Sequence, residues 1–263
     1  MSGPGQQDRP RFAIAAAVND RDVLDRCLRA SPDVREGGIP VAVYEGYKSA
    51  GAAYNAALDE AAGEILILAH QDVYLPRNFI ALLGAKLAEL DALDPDWAVV
   101  GLMGSMDDGQ RVGSSWSSGL AGVMFAPGTL PARVQSLDEM LIVVKVAAGL
   151  RFDPALPSFH LYGTDIVQSA RKAGRSAYVV DAPVIHHSRP LVELGGGYRS
   201  AYRYMQHKWR ANLPIANPVC KIQRSILPLL YLDWKIRFRK RGQKRTGNPT
   251  EDPSEIARRV GYE

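Results

Sequence analysis

Cysteine is scarce in this chain, with two residues, Cys27 and Cys220, among 263. Their placement matches neither a metal-binding spacing nor a disulfide framework, so both read as ordinary buried thiols in a protein suited to a reducing compartment. Long apolar runs are also missing. No stretch reaches the roughly 18 residues that a membrane-spanning helix needs, and the opening MSGPGQQDRPR lacks the charged-then-apolar layout of a secretory signal. These absences predict a cytoplasmic protein. There is no internal repeat, and no recognition motif accompanies the basic residues, so no nucleic acid is expected as a partner. The net charge is small, +4, but unevenly spread: nine Lys or Arg stand between Lys221 and Arg245 against one acid, Asp233.

What is present is a chain long enough to bury a substantial core in one large domain with appendages. Residues 1–10, rich in Gly, Pro and Gln, read as a disordered leader. The organising stretch is Glu64 to Pro76, EILILAHQDVYLP, in which Ile65 to Ala69 suit a strand buried on both faces of a sheet. The run stops at His70, Gln71 and Asp72, so an imidazole and a carboxylate lie at the carboxyl end of a buried strand, where ligands enter open α/β sheets.

The chain before and after repeats the strand-corner-helix pattern. Arg11 to Val18 is an apolar run ending in Asn19 and Asp20, either of which can cap the helix carrying Val23, Leu24, Cys27 and Leu28. Val41 to Tyr44 ends at Glu45, small residues from Ser49 to Ala62 favour a helix containing Asn55, and Gly63 closes it. A periodic helix over about Asn78 to Leu93 precedes a fourth strand at Trp97 to Leu102. Four such units in succession predict a mainly parallel, doubly wound sheet. Met103 to Ser118, rich in Gly, Ser and Asp, is expected to be a mobile loop or a substrate-facing insertion. Leu137 to Lys145 is strand-like, Thr164 to Ala173 helical, Ala177 to Val180 a short strand, and Ile185 to Ser188 carries two histidines. From Gly197 onward the sequence is aromatic and basic.

In order and spacing these pieces resemble a family 2 glycosyltransferase of the GT-A fold, in the variant that has His-Gln-Asp where most relatives have Asp-x-Asp. The pieces are Val18-Asn19-Asp20, Tyr44-Glu45, Tyr54-Asn55-Ala56-Ala57, Ala69-His70-Gln71-Asp72-Val73, Phe152-Asp153-Pro154 with Tyr162-Gly163-Thr164-Asp165, and Ile185-His186-His187-Ser188. They span about Arg11 to Ser188. The resemblance implies an α/β, Rossmann-like, mainly parallel sheet flanked by helices. A transferase domain would cover residues 11–190, with a helical, basic, aromatic extension and flexible tail over 191–263.

It also implies a reaction. A nucleotide-sugar donor loses its sugar to a saccharide or lipid-linked acceptor, with inversion, in cell-surface polysaccharide synthesis in bacteria, and the departing diphosphate is stabilised by a divalent cation, Mn2+ or Mg2+. Hard cations choose oxygen ligands and manganese also accepts imidazole, so Asp72 is the expected first metal ligand and His186 the second. His70 stands where the family has an Asp, and its role is open between contacting the ribose or diphosphate and shaping the motif. Asn19, Glu45, Asn55, His70, Gln71 and Asp72 form the expected donor-binding set, with Glu45 in the place that reads the base. As residues alone, Asn19 and Glu45 serve equally well as caps or turns. The family's base sits at the start of a helix. Two registers fit here: one puts it at Asp165, the other puts Gly163 at that position and makes Asp165 a later helix residue. Asp138, with Glu139 beside it, is the alternative carboxylate.

The stretch Ile226 to Phe238 mixes Leu, Tyr, Trp and Phe with Lys and Arg as an interfacial helix does, so peripheral membrane contact through 221–245 is a further expectation. Two other functions fit the same residues: a non-catalytic nucleotide-sugar-binding or scaffold domain that has lost its base, and a nucleotidyltransferase.

Overall fold

The computed structural model describes residues 12–61, 63–189, 194–238 and 250–263. The leader expected over residues 1–10 and residues 239–249 of the basic tail lie outside them. The strands are β1 (Phe12–Val18), β2 (Val41–Glu45), β3 (Ile65–Ala69), β4 (Val73–Tyr74), β5 (Trp97–Gly101), β6 (Met103–Ser105), β7 (Arg111–Ser117), β8 (Gly122–Ala126), β9 (Ala132–Arg133), β10 (Ser136–Leu137), β11 (Leu141–Lys145), β12 (Ser176–Val179) and β13 (Ile185–His186). The helices are α1 (Arg21–Arg26), α2 (Pro32–Arg35), α3 (Ala50–Glu60), α4 (Phe79–Leu93), α5 (Tyr162–Lys172), α6 (Tyr198–Lys208), α7 (Leu227–Arg237) and α8 (Pro253–Arg259).

Seven strands form the main sheet in the order β2-β1-β3-β11-β5-β12-β9. Parallel pairing joins β1 to β2 and to β3, and β12 to β5, whereas β11 runs antiparallel to both β3 and β5. The sheet is therefore mainly parallel, as expected, with one reversed strand set into its middle. Strand alternation divides its side chains between two cores. Leu66 and Leu68 pack in one cluster with Ala53, Tyr54 and Ala57 of α3 and Ile166 and Val167 of α5. Ile65, Ile67 and Ala69 pack in the other with Leu83, Leu87 and Leu90 of α4. Burial on both faces explains the unbroken apolar run in β3.

Local caps agree with the sequence. The Asp20 carboxylate accepts from the Val23 amide at 3.2 Å at the start of α1, and the Ser49 hydroxyl accepts from Ala52 at 3.3 Å at the start of α3. The start of α4 is capped from a distance: Asp33 accepts from the Asn78 and Ile80 amides at 3.2 and 2.8 Å.

The stretch Met103 to Ser118 corrects the expectation of a mobile loop. It supplies β6 and β7 to a second, six-stranded sheet, in which β10-β6-β7-β13-β4 lie side by side and β8 pairs with β7. Its small residues are needed where backbones meet. Gly113 has φ of 102°, and a Cβ there would lie 2.0 Å from the Leu102 carbonyl oxygen. One at Gly104 would lie 2.6 Å from that of Ser136. At these glycines low apolar content marks close approach, while residues 107–111 at the β6–β7 connection are exposed. Beyond residue 194, Tyr198, Tyr202, Met205 and Trp209 belong to the same core cluster as Leu66 and Leu68, so α6 packs into the body of the fold. Among the described residues no helix is long and apolar enough to cross a membrane.

Candidate active site

The ends of β1 and β3 and the start of β4 meet at one edge, and Gln71 ties them together. Its side-chain oxygen accepts from the Asn19 and Asp20 amides at 2.9 and 3.1 Å, and its amide nitrogen donates to Asn19 Oδ1 at 2.7 Å. His186 faces Asp72 from the neighbouring strand. In the antiparallel β13–β4 pair His186 lies opposite Val73, and the His187 amide donates to the Asp72 carbonyl at 2.7 Å. His186 Nε2 consequently stands 3.4 Å from Asp72 Oδ1, and His70 Nδ1 stands 3.9 Å from the same oxygen. One ligand atom from each of His70, Asp72 and His186 can be chosen with all three within 4.8 Å of one another.

Electrostatics hold Asp72 ionised and leave His186 a proton that a bound cation would displace. Burial alone would raise the Asp72 carboxyl, but the facing His186 and His70 imidazoles pull it well below the usual carboxylate range. Burial would likewise lower His186, and Asp72 raises it instead, whereas burial wins at His70 and keeps that ring neutral. The Tyr162 hydroxyl explains which His70 nitrogen is free. It donates to the Glu139 carbonyl at 3.0 Å and meets His70 Nε2 at 2.9 Å. A hydroxyl whose proton is already committed can only accept from the ring, so Nε2 carries the hydrogen and Nδ1 keeps its lone pair, directed towards Asp72. Two imidazoles and a carboxylate with this support fit manganese, or another first-row transition metal, better than magnesium, which prefers oxygen alone.

Two cavities share the Asn19–Gln71–Asp72 wall. The smaller, about 400 Å³, is bounded by Tyr44, Tyr47, Tyr54, Phe159 and His70 at the ends of β1 and β2. The larger, about 1110 Å³, lies on the other side, between α1 and Thr250 to Ser254, and is faced by Arg26, Arg35 and Arg189. The aromatic lining of the smaller one was not anticipated from the sequence, although Tyr44 and Tyr54 both stand in the motifs quoted for the resemblance.

The remaining expected residues are placed as follows. Glu45 is on the outer surface, where both its oxygens are taken by Arg21 at 2.8 and 2.6 Å. Asn55 is turned away from the edge: its side chain donates to the Phe152 carbonyl and accepts from the Phe152 amide, both at 2.9 Å. That pair of bonds pins Phe152 onto α3, and Asn55 lines neither cavity. Asp165 is 1% exposed, and its oxygens receive Lys208 Nζ at 2.7 and 2.9 Å and Trp209 Nε1 at 2.7 Å. Burial raises its pKa against the pull of those two donors. It is an anchor for α6 with no free face for an acceptor hydroxyl.

Asp138 and Glu139 stand between β10 and β11, beside the β3 edge, where the His70 amide donates to the Met140 carbonyl at 2.9 Å. Asp138 accepts from the Met140 amide at 3.0 Å. Glu139 reaches the first turn of α5, its Oε1 accepting from the Gly163 amide at 3.2 Å. Burial and the neighbouring Asp138 push its carboxyl up to about 8, against the opposing pull of the Gly163, Leu161 and Tyr162 amides. A Cβ at Gly163 would lie 3.0 Å from Glu139 Cγ, so the Glu139 side chain fills the space that a side chain at 163 would enter. In the sequence Glu139 is only the neighbour of Asp138; the signal that pairs it with α5 is the missing side chain at 163.

No family model matches the chain. Among curated proteins it is similar to the "ATP synthase subunits region ORF 6" protein of Fuscovulum blasticum, 27% identical over 219 residues covering 77% of this chain and 85% of that one. Among solved structures it is similar to the mannosyltransferase PcManGT from Pyrobaculum calidifontis in complex with GDP-Man and Mn2+. There the identity is 16%, over 90% of this chain and 72% of the other, with a TM-score of 0.49. It is also similar to S. aureus TarS 1–349 in complex with UDP, at 14% identity over 66% of this chain and 60% of that one, with a TM-score of 0.42.

Proposed function

We propose that the chain is a metal-dependent glycosyltransferase that moves a sugar from a nucleotide-sugar donor to an acceptor hydroxyl with inversion. The observation that supports this reading most directly is the His70–Asp72–His186 cluster, set on the wall between two cavities at the carboxyl edge of the sheet. The smaller, aromatic cavity suits a nucleoside, and the acceptor would approach on the Glu139 side of His70, where the Tyr162 hydroxyl bonds both residues. Asp72, His186 and His70 Nδ1 would hold the cation, whose contribution when bound is to balance the negative charge of the nucleoside diphosphate.

Glu139 is the general base in this reading. As the acceptor oxygen bonds to the anomeric carbon and the bond from that carbon to the diphosphate oxygen breaks, the acceptor proton passes to the Glu139 carboxylate. A carboxyl with a pKa of about 8 is well matched to that task near neutral pH. This reading takes the register with Gly163 at the family's base position, with Glu139 supplying the missing carboxylate from the segment between β10 and β11.

The test is thermal shift with nucleoside diphosphates, with and without Mn2+, on the wild type and Asp72→Ala, followed by assay of nucleoside diphosphate release. Binding to the native state raises apparent stability by mass action. Metal-dependent stabilisation by one base, lost in Asp72→Ala, is the expected result; full activity in that variant overturns the metal assignment. Donor binding without turnover across a broad acceptor panel would favour the non-catalytic scaffold, and pyrophosphate release the nucleotidyltransferase. Because two imidazoles and one carboxylate also suit ferrous iron, Fe2+ belongs in the metal series.

A further inference from the structure

Helix α7 carries a row of large apolar side chains that the fold leaves uncovered. Leu227, Tyr231, Trp234 and Phe238 recur at spacings of four, three and four and are 69%, 62%, 56% and 69% exposed. They form a continuous ridge, with the Tyr231 and Trp234 rings stacked at 6.1 Å between centroids and Trp234 and Phe238 at 5.6 Å. The opposite side of the helix is used for packing: Leu229 and Ile236 are buried, and Asp233 accepts from the Leu194 amide at 3.3 Å. The one acid of the helix, Asp233, is also paired with Arg237 at 3.1 Å, and Lys235 stands exposed near the ridge. Scattered exposed apolar residues need no explanation, but a contiguous aromatic ridge does.

A second feature lies on α6 and on the segment that leads into α7. A cleft of about 420 Å³ is lined by Arg203, Gln206, His207, Arg210, Leu213 and Arg224. Arg203, His207 and Arg210 follow helical spacing along one face of α6 and its C-terminal turn. Arg224 comes from the segment leading into α7, which the Gln206 side chain fastens to α6 by donating to the Arg224 carbonyl at 3.2 Å. No carboxylate lines the cleft, and none of the three arginines forms an ion pair among the described residues. Converging guanidinium groups without acidic partners are suited to phosphate oxygens.

We infer that this face docks on an anionic lipid bilayer, with the α7 ridge at the level of the head groups and the Arg203–Arg210–Arg224 cleft receiving a lipid phosphate. Two independent arrangements support one occupant. Tyr and Trp beside Lys and Arg are the side chains that settle at a membrane–water boundary, and a cleft of exposed arginines without a carboxylate among the described residues favours a fixed negative charge next to it. A second copy of the chain would bring the same cations to the interface, where like charges repel. The further cations Arg239, Lys240, Arg241, Lys244 and Arg245 follow directly in sequence and add to the same sign.

The experiment is co-sedimentation of the full chain with vesicles of neutral phosphatidylcholine, or of phosphatidylcholine containing about a third phosphatidylglycerol, alongside size-exclusion chromatography. Wild type is expected to partition onto the anionic vesicles only. Each basic residue near a charged surface contributes roughly fivefold to partition, so the triple variant Arg203→Gln/Arg210→Gln/Arg224→Gln should bind about a hundredfold more weakly. Trp234→Ser should also lose partition while keeping wild-type thermal stability, since the ring it removes is exposed. Millimolar inorganic phosphate should leave vesicle binding unchanged; competition by phosphate at that level would mean a free-phosphate site and overturn the membrane assignment. So would equal binding to neutral vesicles, no binding to either, or a dimer in solution that Trp234→Ser dissociates.

Discussion

Replacing Glu139 by Gln should make the protein more stable at alkaline pH and nearly inactive, a combination that few substitutions produce. The Glu139 carboxyl is raised from an ordinary 4.5 to about 8 because burial and Asp138 disfavour its charge. A rise of that size corresponds to a cost of about 5 kcal/mol when the group is ionised in the folded state. Between pH 4.5 and 8 the folded protein holds a proton that the unfolded chain has lost. The contribution of Glu139 to stability is therefore complete below pH 4.5 and disappears as pH rises through 8. Gln cannot ionise, and its side-chain oxygen can still accept from the Gly163 amide, so the variant should match wild type near pH 4.5 and exceed it by a few kcal/mol at pH 8.5. Urea unfolding across that range in the presence of a chelator measures this. Transfer should respond in the opposite sense: the wild-type rate rises with pH towards a plateau above 8, and loss of a general base lowers the variant's rate by roughly 10² to 10⁴-fold while donor affinity is kept. Variant transfer within threefold of wild type would refute the assignment of the base, and parallel stability profiles would refute the burial of the charge. Asp138→Asn is the control, expected to move the apparent pKa of the rate profile downward because it removes the neighbouring negative charge.

Asp165→Asn should cost about 2 kcal/mol in urea unfolding, since it removes the buried charge that Lys208 and Trp209 both meet while Lys208 keeps Asp153 at 2.6 Å; a loss under 1 kcal/mol would show that the Asp165 contacts are not structurally important. Gln71→Ala removes three hydrogen bonds to the Asn19–Asp20 corner and should weaken nucleoside diphosphate binding about tenfold, the equivalent of roughly 1.4 kcal/mol. Mn2+ affinity measured calorimetrically should change little, and a parallel loss of both would mean that Gln71 positions Asp72 rather than the corner.

Much of the main sheet is legible in the sequence because its determinants are local. Ile65 to Ala69 is apolar without interruption, Asp20 and Ser49 cap the helices that follow them, and His70, Asp72 and His186 end or adjoin short apolar strands. Features that depend on distant backbone are not legible. The glycines of Met103 to Ser118 resemble loop residues until Leu102 and Ser136 are seen pressing against them. Asn55 stands in a helix that borders the site, and its orientation is decided by Phe152, 97 residues away. Asp165 has the position of a catalytic carboxylate in one register, but Lys208 and Trp209 arrive on α6 to occupy it. Glu139 is the converse case: its neighbourhood in sequence carries no signal, and its chemistry arises from an empty Cβ position on another element.

The reversed strand β11 has a consequence for how the chain is made. β3 emerges early and pairs at once with β1 along one side, but its other side is completed only by Leu141–Lys145, after the whole of α4, β5 and most of the second sheet have been synthesised. Until then Ile65–Ala69 presents an unpaired apolar edge, the kind of surface that recruits strands from other chains. A fragment ending before Leu141 should therefore aggregate during expression, and a chaperone that shields nascent apolar strands should raise the yield of the full-length protein.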